Sequence, residues 1–380
     1  MIGATVLSLF ICCSSASADG TALGSYVPGF SRPVPPHPSA IDTEARSVGR
    51  RPLIVHIYRQ WSQRLIVPAQ LGPVWRRGSV PMITWEPLSY DGGRYPLRKI
   101  ARGRYDHYLR KSAKAAAAFG HPILIRFAHE MNGSWYPWGI GVHGNSPARY
   151  KRAWRHVVEV FRSQGADEVE WVWAPQVNKD DKYPFERLFP GDAWVDWVAL
   201  DGYNAGVHGN WDSFTEIFGP SYNTLVQLSG RPVLVTETGS SQSGGDKAKW
   251  VSSALEREIP GFSRLRGVVF FNARFNGLDF RIASSKSALR AFRQGVSSSR
   301  YDITRQEFLD ARSAGHDRSL APAAPSGDYG QPSLWYRLTQ KLHGPYVWYA
   351  VAAAVAFALL IVLIVVTLRR MGRARVAHHR

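Results

Sequence analysis

Residues 123–130 read Ile123-Leu124-Ile125-Arg126-Phe127-Ala128-His129-Glu130. Apolar residues around one Arg make a run too short for a helix and without the alternation of a half-exposed strand. This is how a strand covered on both faces reads. The run passes directly into His129-Glu130, groups too polar for a core. Similar short runs occupy Leu23–Val27, Leu53–Tyr58, Pro81–Trp85, Val169–Trp173, Trp197–Leu200, Val233–Val235 and Gly267–Phe271. Helical patterns separate them. Tyr105–Phe119 stops at Gly120. Pro147–Gln164 follows Ser146, an N-cap with Pro at the first helical position, and stops at Gly165. Trp211–Leu228 and Lys247–Glu258 come next, and Gly219-Pro220 is expected to kink or split the former. Eight strands alternating with helices over about 275 residues predict an α/β fold, a (β/α)8 TIM barrel. A doubly wound open sheet is the other architecture this alternation allows. No Gly-x-Gly-x-x-Gly follows a strand, which speaks against a dinucleotide cofactor.

The ends of the chain read differently from its middle. Residues 1–18 read as a signal peptide, a short apolar run ending in Ala16-Ser17-Ala18, although no Lys or Arg precedes Arg32. The only two cysteines, Cys12 and Cys13, lie inside it, so no disulfide framework or Cys-based zinc site can form downstream. A lipoprotein reading would use one of them, and Ile11 is too bulky for such a cleavage site. Residues 20–296 form the predicted catalytic domain. Residues 297–345 mix Ser, Pro, Gly and charges, including Ala321-Pro322-Ala323-Ala324-Pro325, and read as a stalk with one short helix near Asp302–Arg312. Tyr346–Leu368 is uncharged and apolar over 23 residues. At ~1.5 Å per residue it reaches about 34 Å, enough for a single transmembrane helix across a core of about 30 Å. Tyr346, Trp348 and Tyr349 flank it on one side and the basic tail 369–380, with five Arg, on the other. That asymmetry predicts a protein of the cell membrane with its C-terminus cytoplasmic and the rest outside.

Composition bounds the function. Lys and Arg number 47 against 29 Asp and Glu, a net charge of +18. On an exported domain this points to acidic lipid or cell-wall polymer, or simply to a solvated surface, and not to nucleic acid. Oligomeric state is not legible. At 45% apolar residues the chain can bury a large core. Fourteen Trp, 16 Tyr and 17 Phe are many, and composition alone does not say whether they pack or bind.

In a barrel the chemistry sits at the carboxyl ends of the strands. Two strand ends stand out for their carboxylates, Glu130 after the fourth and Glu237 after Val233-Leu234-Val235-Thr236. Two carboxylates converging on one barrel mouth can divide acid/base and nucleophile roles. Pairing with Arg, or capping a helix, is the structural alternative for each. Trp135, Tyr136 and Trp138 follow Glu130 on a Gly-containing loop. Trp85 ends the third strand and Tyr203 follows the sixth. Loop aromatics at a mouth suit sugar rings, whose C–H faces stack on π surfaces. Trp154, Trp171 and Trp173 read as core. No metal is expected: His129-Glu130 lacks the second His of His-Glu-x-x-His, and 12 scattered His show no ligand spacing. No Gly-x-Ser-x-Gly supports a Ser nucleophile.

Arg126-Phe127-Ala128-His129-Glu130-Met131-Asn132-Gly133-Ser134-Trp135 resembles the acid/base signature of glycoside hydrolase family 26, the β-mannanase family of clan A. Thr236-Glu237-Thr238-Gly239 resembles its nucleophile strand. Val195–Asn204 resembles its sixth strand and Leu23-Gly24-Ser25-Tyr26 its first. The resemblance covers roughly Ala22 to Phe292. It implies a (β/α)8 barrel and retaining, endo-acting hydrolysis of a β-linked polysaccharide, usually β-1,4-mannan. By position it implies Glu130 as acid/base and Glu237 as nucleophile. His129 and Trp135 would line the subsite beside the cut, and Tyr203 would hydrogen-bond the nucleophile. Phe271-Asn272 stands where many members carry Trp, which bears on the −1 sugar platform and so on mannose preference. Some members cut mixed-linkage β-glucan or β-1,3-xylan. A membrane anchor also suits an enzyme that trims the cell's own exopolysaccharide. A catalytically idle sugar-binding module would bind without releasing reducing ends.

Overall fold

The computed structural model describes residues 20–27, 39–177, 182–206 and 211–312. Eight parallel strands close into a barrel in chain order: β1 (Ala22–Tyr26), β2 (Ile54–Gln60), β3 (Val80–Glu86), β4 (Ile123–Phe127), β5 (Val169–Trp173), β6 (Trp197–Asp201), β7 (Val233–Thr238) and β8 (Leu265–Phe270). β1 closes the ring by pairing Gly24 with Ile54 on one side and Val269 on the other. Gly24 is required there: a Cβ would lie 2.8 Å from Val269 Cγ2 and 2.9 Å from Ile54 Cβ. The open doubly wound sheet is thereby excluded. Around the barrel lie α1 (Ser39–Val48), α2 (Pro68–Arg76), α3 (Leu97–Ile100), α4 (Asp106–Phe119), α5 (Pro147–Ser163), α6 (Phe185–Leu188), α7 (Phe214–Leu228), α8 (Lys247–Ser253), α9 (Lys286–Gly295) and α10 (Arg305–Asp310).

The punctuation expected from sequence operates. Gly120 ends α4 at φ +64°. The Ser146 hydroxyl accepts from the Arg149 amide at 3.3 Å and caps α5, with Pro147 following. Gly219-Pro220 does not split α7, which runs through Pro220 as one helix. A capping box between Ser213 and Glu216 fixes its start. Its buried face, Phe214, Ile217, Phe218, Tyr222 and Leu225, anchors both sides of the proline. Tertiary packing outweighs the one hydrogen bond a proline removes.

Most of the aromatic surplus packs. Between the outer face of β3–β5 and the helices, Trp61, Trp85, Phe127, Trp154, Phe161 and Trp171 make edge and tilted ring contacts at 5.0–6.2 Å. The barrel interior is a separate apolar layer of Ile54, Met82, Leu124, Val172, Trp197, Leu234 and their neighbours.

The domain boundary at 296 requires correction. The chain continues under the barrel, where Phe308 of α10 is fully buried and stacks on Trp197 at 4.9 Å. Burial of such a ring contributes about 1.5–3 kcal/mol. Arg305 lies over Trp75 at 3.5 Å, and the Tyr301 hydroxyl donates to the Leu255 carbonyl at 2.6 Å. Residues 297–312 therefore belong to the barrel. The short helix expected over Asp302–Arg312 is Arg305–Asp310, capped by Thr304 and Glu307. The signal segment 1–18, the remaining stalk 313–345, the apolar run 346–368 and the tail 369–380 lie outside the described residues. Among the described residues no helix is long and apolar enough to cross a membrane.

Candidate active site

Strand parity places the polar groups. In β4, Ile123, Ile125 and Phe127 pack outward on the helices, while Leu124 and Arg126 point into the barrel. Arg126 is completely buried one layer below the mouth. Its Nε donates to Thr84 Oγ1 at 2.8 Å, Nη1 to Asp201 Oδ2 at 2.5 Å, and Nη2 to Glu237 Oε1. Burial works against its charge, but Asp201 and Glu237 hold its pKa well above the ordinary value. His56 completes this layer. Burial, then Arg126, pushes its pKa well below the ordinary value, so the ring is neutral. Its Nε2 lies 3.3 Å from Arg126 Nη2 and therefore accepts, since a guanidinium only donates.

Glu237 stands near the carboxyl end of β7, and three donors converge on it. The Tyr58 hydroxyl and Arg126 donate to Oε1, the former at 2.5 Å, and the Tyr203 hydroxyl donates to Oε2. An acceptor-only carboxylate satisfies all three.

Glu130 stands across the mouth at the end of β4. Ala128 (φ +44°) and Glu130 (φ +49°) both adopt left-handed backbone, at roughly 1–2 kcal/mol each. The Ala128 amide donates to the Trp85 carbonyl at 3.1 Å and the Glu130 amide to the Ala174 carbonyl at 2.8 Å, which hold the turn. The turn swings the Glu130 side chain over the barrel. Its Oε2 accepts from Trp135 Nε1 at 2.6 Å. The indole reaches that position because residue 133 is Gly: a Cβ there would sit 2.3 Å from the Trp135 ring. Asn132 pins the loop to the end of β5, donating to the Gln176 carbonyl at 2.8 Å and accepting from the Gln176 amide at 2.9 Å. Burial, then the charges of Asp201 and Glu237, raises the Glu130 pKa well above the carboxylate range. The two glutamates thus sense each other electrostatically, from strands four and seven.

The other expected residues divide. His129 is buried beside the pair, its Nε2 3.1 Å from the Tyr136 hydroxyl, and burial keeps it neutral. Trp135 and Tyr203 are half-buried, each bonded to one glutamate. Phe271 is half-buried after β8, stacked on Tyr26 at 5.4 Å and edge-on to Tyr203 at 5.9 Å, as part of an aromatic wall. Trp85 and Trp138 are not available to a sugar. Trp85 is 0% exposed on the outer face of β3, with Nε1 donating to the Tyr108 hydroxyl at 3.2 Å. Trp138 is 1% exposed and lies under Tyr136, stacked at 4.3 Å, with Nε1 donating to the His129 carbonyl at 2.7 Å. It positions the loop, and Tyr136 is the ring above it.

Tyr58, Glu86 and Asp201 belong to the site without having been expected there, and Tyr136 joins it as one of the loop aromatics expected at the mouth. The signal for the first two was parity. Tyr58 lies two residues beyond His56, and Glu86 two beyond Thr84, so each shares an interior face. His129, Asp201 and Glu237 bring ligand atoms within 4.8 Å of one another, a spacing that could suit a metal ion. Arg126 already bonds both of those carboxylates, so a cation would meet a guanidinium.

The arrangement offers one carboxyl whose hold on its proton is strengthened by burial, beside an indole, and one carboxyl held by three donors. The sequence model of glycosyl hydrolase family 26 matches residues 105–236, a stretch that contains Glu130 and stops one residue short of Glu237. Endoglucanase H of Acetivibrio thermocellus is 34% identical over 271 residues, 69% of this chain and 29% of that protein. The chain carries a glycoside hydrolase family 26 domain. A mannan endo-1,4-β-mannosidase of Bacillus subtilis is 32% identical over 152 residues, 37% of each chain. The chain thus spans well under half the length of either relative. Among solved structures, the catalytic domain of the family 26 endo-β-1,4-mannanase of Bacillus sp. JAMB-750 matches with a TM-score of 0.62 at 18% identity, over 79% of this chain and 91% of that one. A Cellulomonas fimi endo-β-1,4-mannanase matches at 0.59 and 19%, over 82% and 80%. These likenesses speak to the family 26 domain's fold, the (β/α)8 barrel.

Proposed function

We propose that the family 26 domain is a retaining, endo-acting glycoside hydrolase of β-linked polysaccharide, with Glu130 as acid/base and Glu237 as nucleophile. The observation that carries this reading is the unequal pair at the mouth. Glu130 is buried and proton-retaining, and Glu237 is held by Tyr58, Tyr203 and Arg126. Glu237 attacks the anomeric carbon as Glu130 passes its proton to the glycosidic oxygen and the C–O bond breaks. The glycosyl ester that forms removes the charge of Glu237. That charge is one of the causes raising the Glu130 pKa, so Glu130 becomes a better base. It then takes a proton from water, whose oxygen attacks the anomeric carbon and releases Glu237.

β-1,4-Mannan is the first substrate of this reading. β-Glucan is the second, favoured by Phe271 in the wall above the pair and by the length of the match to a protein named as an endoglucanase. Incubation with mannan, mixed-linkage glucan and xylan, with product anomers followed by NMR, tests both. The expected result is reducing ends released in the β configuration from one of these. α products, or binding with no cleavage of any β-glycan, would defeat the proposal. The apolar run 346–368 is proposed to tether the domain to the outer face of the membrane. The full chain should then sediment with membranes, and a chain ending at residue 345 should not; equal solubility of the two would refute it.

A further inference from the structure

Two polar side chains at the mouth are used neither by the fold nor by the mechanism above. Tyr58 and Thr84 are paired in register across β2 and β3, and both point into the barrel, toward Glu237 and Arg126 respectively. Two residues further on, Gln60 and Glu86 are the next such pair. They share that inward face one step nearer the opening, on strands about 4.8 Å apart. Glu86 interacts electrostatically with Glu237 and with Tyr136, which places it in the same cleft.

Neither side chain has a hydrogen-bond partner among the described residues, and the Gln60 Oε1 is also cut off from solvent. Glu86 is 9% exposed, and among the described residues no side chain or amide bonds its carboxyl. The buried Gln60 Oε1 likewise has no partner. A desolvated acceptor without a hydrogen bond beside a carboxyl that bonds nothing in the protein calls for an explanation. An ion pair does not supply one. Arg126, whose charge favours the ionised form, is committed to Asp201 and Glu237. Burial, then the charge of Glu237, raises the Glu86 pKa to about 8. At neutral pH it is therefore a carboxylic acid, with one O–H to donate and a carbonyl to accept. The Gln60 carbonyl accepts. Each sugar hydroxyl both donates and accepts, so one ring can satisfy both residues.

We propose that Gln60 and Glu86 together hold adjacent hydroxyls of the sugar ring bound next to the Glu130–Glu237 pair, and so select that ring's stereochemistry. This rests on the glycoside hydrolase reading. Two groups fixed on neighbouring strands cannot follow a hydroxyl that changes between axial and equatorial. A site built to bond a hydroxyl discriminates strongly against its absence or displacement.

The test is steady-state kinetics of the parent, Glu86→Ala, Glu86→Gln and Gln60→Ala on the polysaccharide the parent cleaves best, with Tm for each. Glu86→Ala is expected to lower kcat/KM by about tenfold to a hundredfold, and Gln60→Ala by about tenfold. Glu86→Gln, which keeps a donor and an acceptor, should stay within about threefold of the parent. The ratio of activity on mannan to that on glucan should shift in Glu86→Ala and stay put in Glu86→Gln. A parent that cleaves polysaccharide while Glu86→Ala matches it in KM, kcat and substrate ratio overturns the inference and leaves the hydrolase reading standing. So does a Glu86→Gln variant as impaired as Glu86→Ala. A folded parent inactive on every β-glycan defeats the hydrolase reading itself, and this inference with it.

Discussion

Glu237→Ala is expected to abolish hydrolysis of every glycan the parent cleaves, with kcat falling on the order of 10⁴-fold or more. No other carboxylate can take its place. Asp201 is fully buried below it, bonded to Arg126 and to the Thr236 hydroxyl at 2.7 Å. Glu86 sits on β3, where it retains its proton at neutral pH. The substitution strips an acceptor from Tyr58, Tyr203 and Arg126 at once, and a loss of fold could imitate a loss of chemistry. Arg126 keeps Asp201, so its charge stays compensated and the barrel should survive. Glu237→Gln is the control, since it leaves an acceptor for those donors without a nucleophilic carboxylate. Reducing-end assays should find both variants inactive on polysaccharide and on activated aryl glycosides alike, at a Tm near the parent's for Glu237→Gln. Retention of parental rates by a folded Glu237→Gln would remove Glu237 from the mechanism.

How far the site could be read in advance depended on how each residue announces itself. Arg126, alone in an apolar run that ends in His129-Glu130, marks a strand whose upper end is polar, and counting strands sets Glu130 and Glu237 on the fourth and seventh. Tyr58 and Glu86 are missed because the strands read as apolar throughout. Without an alternation, inward and outward positions are not assigned, and both residues then look like strand ends. Trp85 fails for the same reason in reverse: a large aromatic at a strand end suggests the mouth, yet its odd step from Thr84 turns it outward onto Tyr108 and Phe161. Trp138 sits in a loop rich in Gly and Pro, but the loop folds back on itself so closely that a Cβ at Gly139 would lie 2.3 Å from the Gly133 carbonyl. Only three-dimensional packing shows which of its aromatics ends underneath. The early boundary at 296 reflects composition. Ser- and Arg-rich sequence reads as linker, while buried Tyr301 and Phe308, with Arg305 over Trp75, tie it to the barrel.

Glu130→Ala should separate two kinds of substrate that Glu237→Ala treats alike. Cleavage of polysaccharide needs a proton on the departing sugar oxygen, and loss of a positioned acid is worth about 10²–10⁴-fold. An aryl glycoside with an acidic phenol leaves without that proton, so its glycosylation step should stay close to the parental rate. Water must then attack the ester at Glu237 with no base to take its proton. The covalent intermediate should accumulate, visible as a burst of phenol followed by slow turnover. A small anionic nucleophile such as azide needs no base. It should restore turnover and leave a glycosyl azide in the β configuration, which only a covalently bound intermediate on Glu237 explains. The pH profile follows from the raised Glu130 pKa. The protonated form is the active one, so parental activity is lost on the alkaline side as pH rises through that raised pKa. Glu130→Ala should lose this alkaline limb in the burst phase with the aryl substrate. A burst phase that keeps the parental alkaline limb would assign the titrating acid elsewhere, and no azide effect on a variant still slow with polysaccharide would assign Glu130 a structural role.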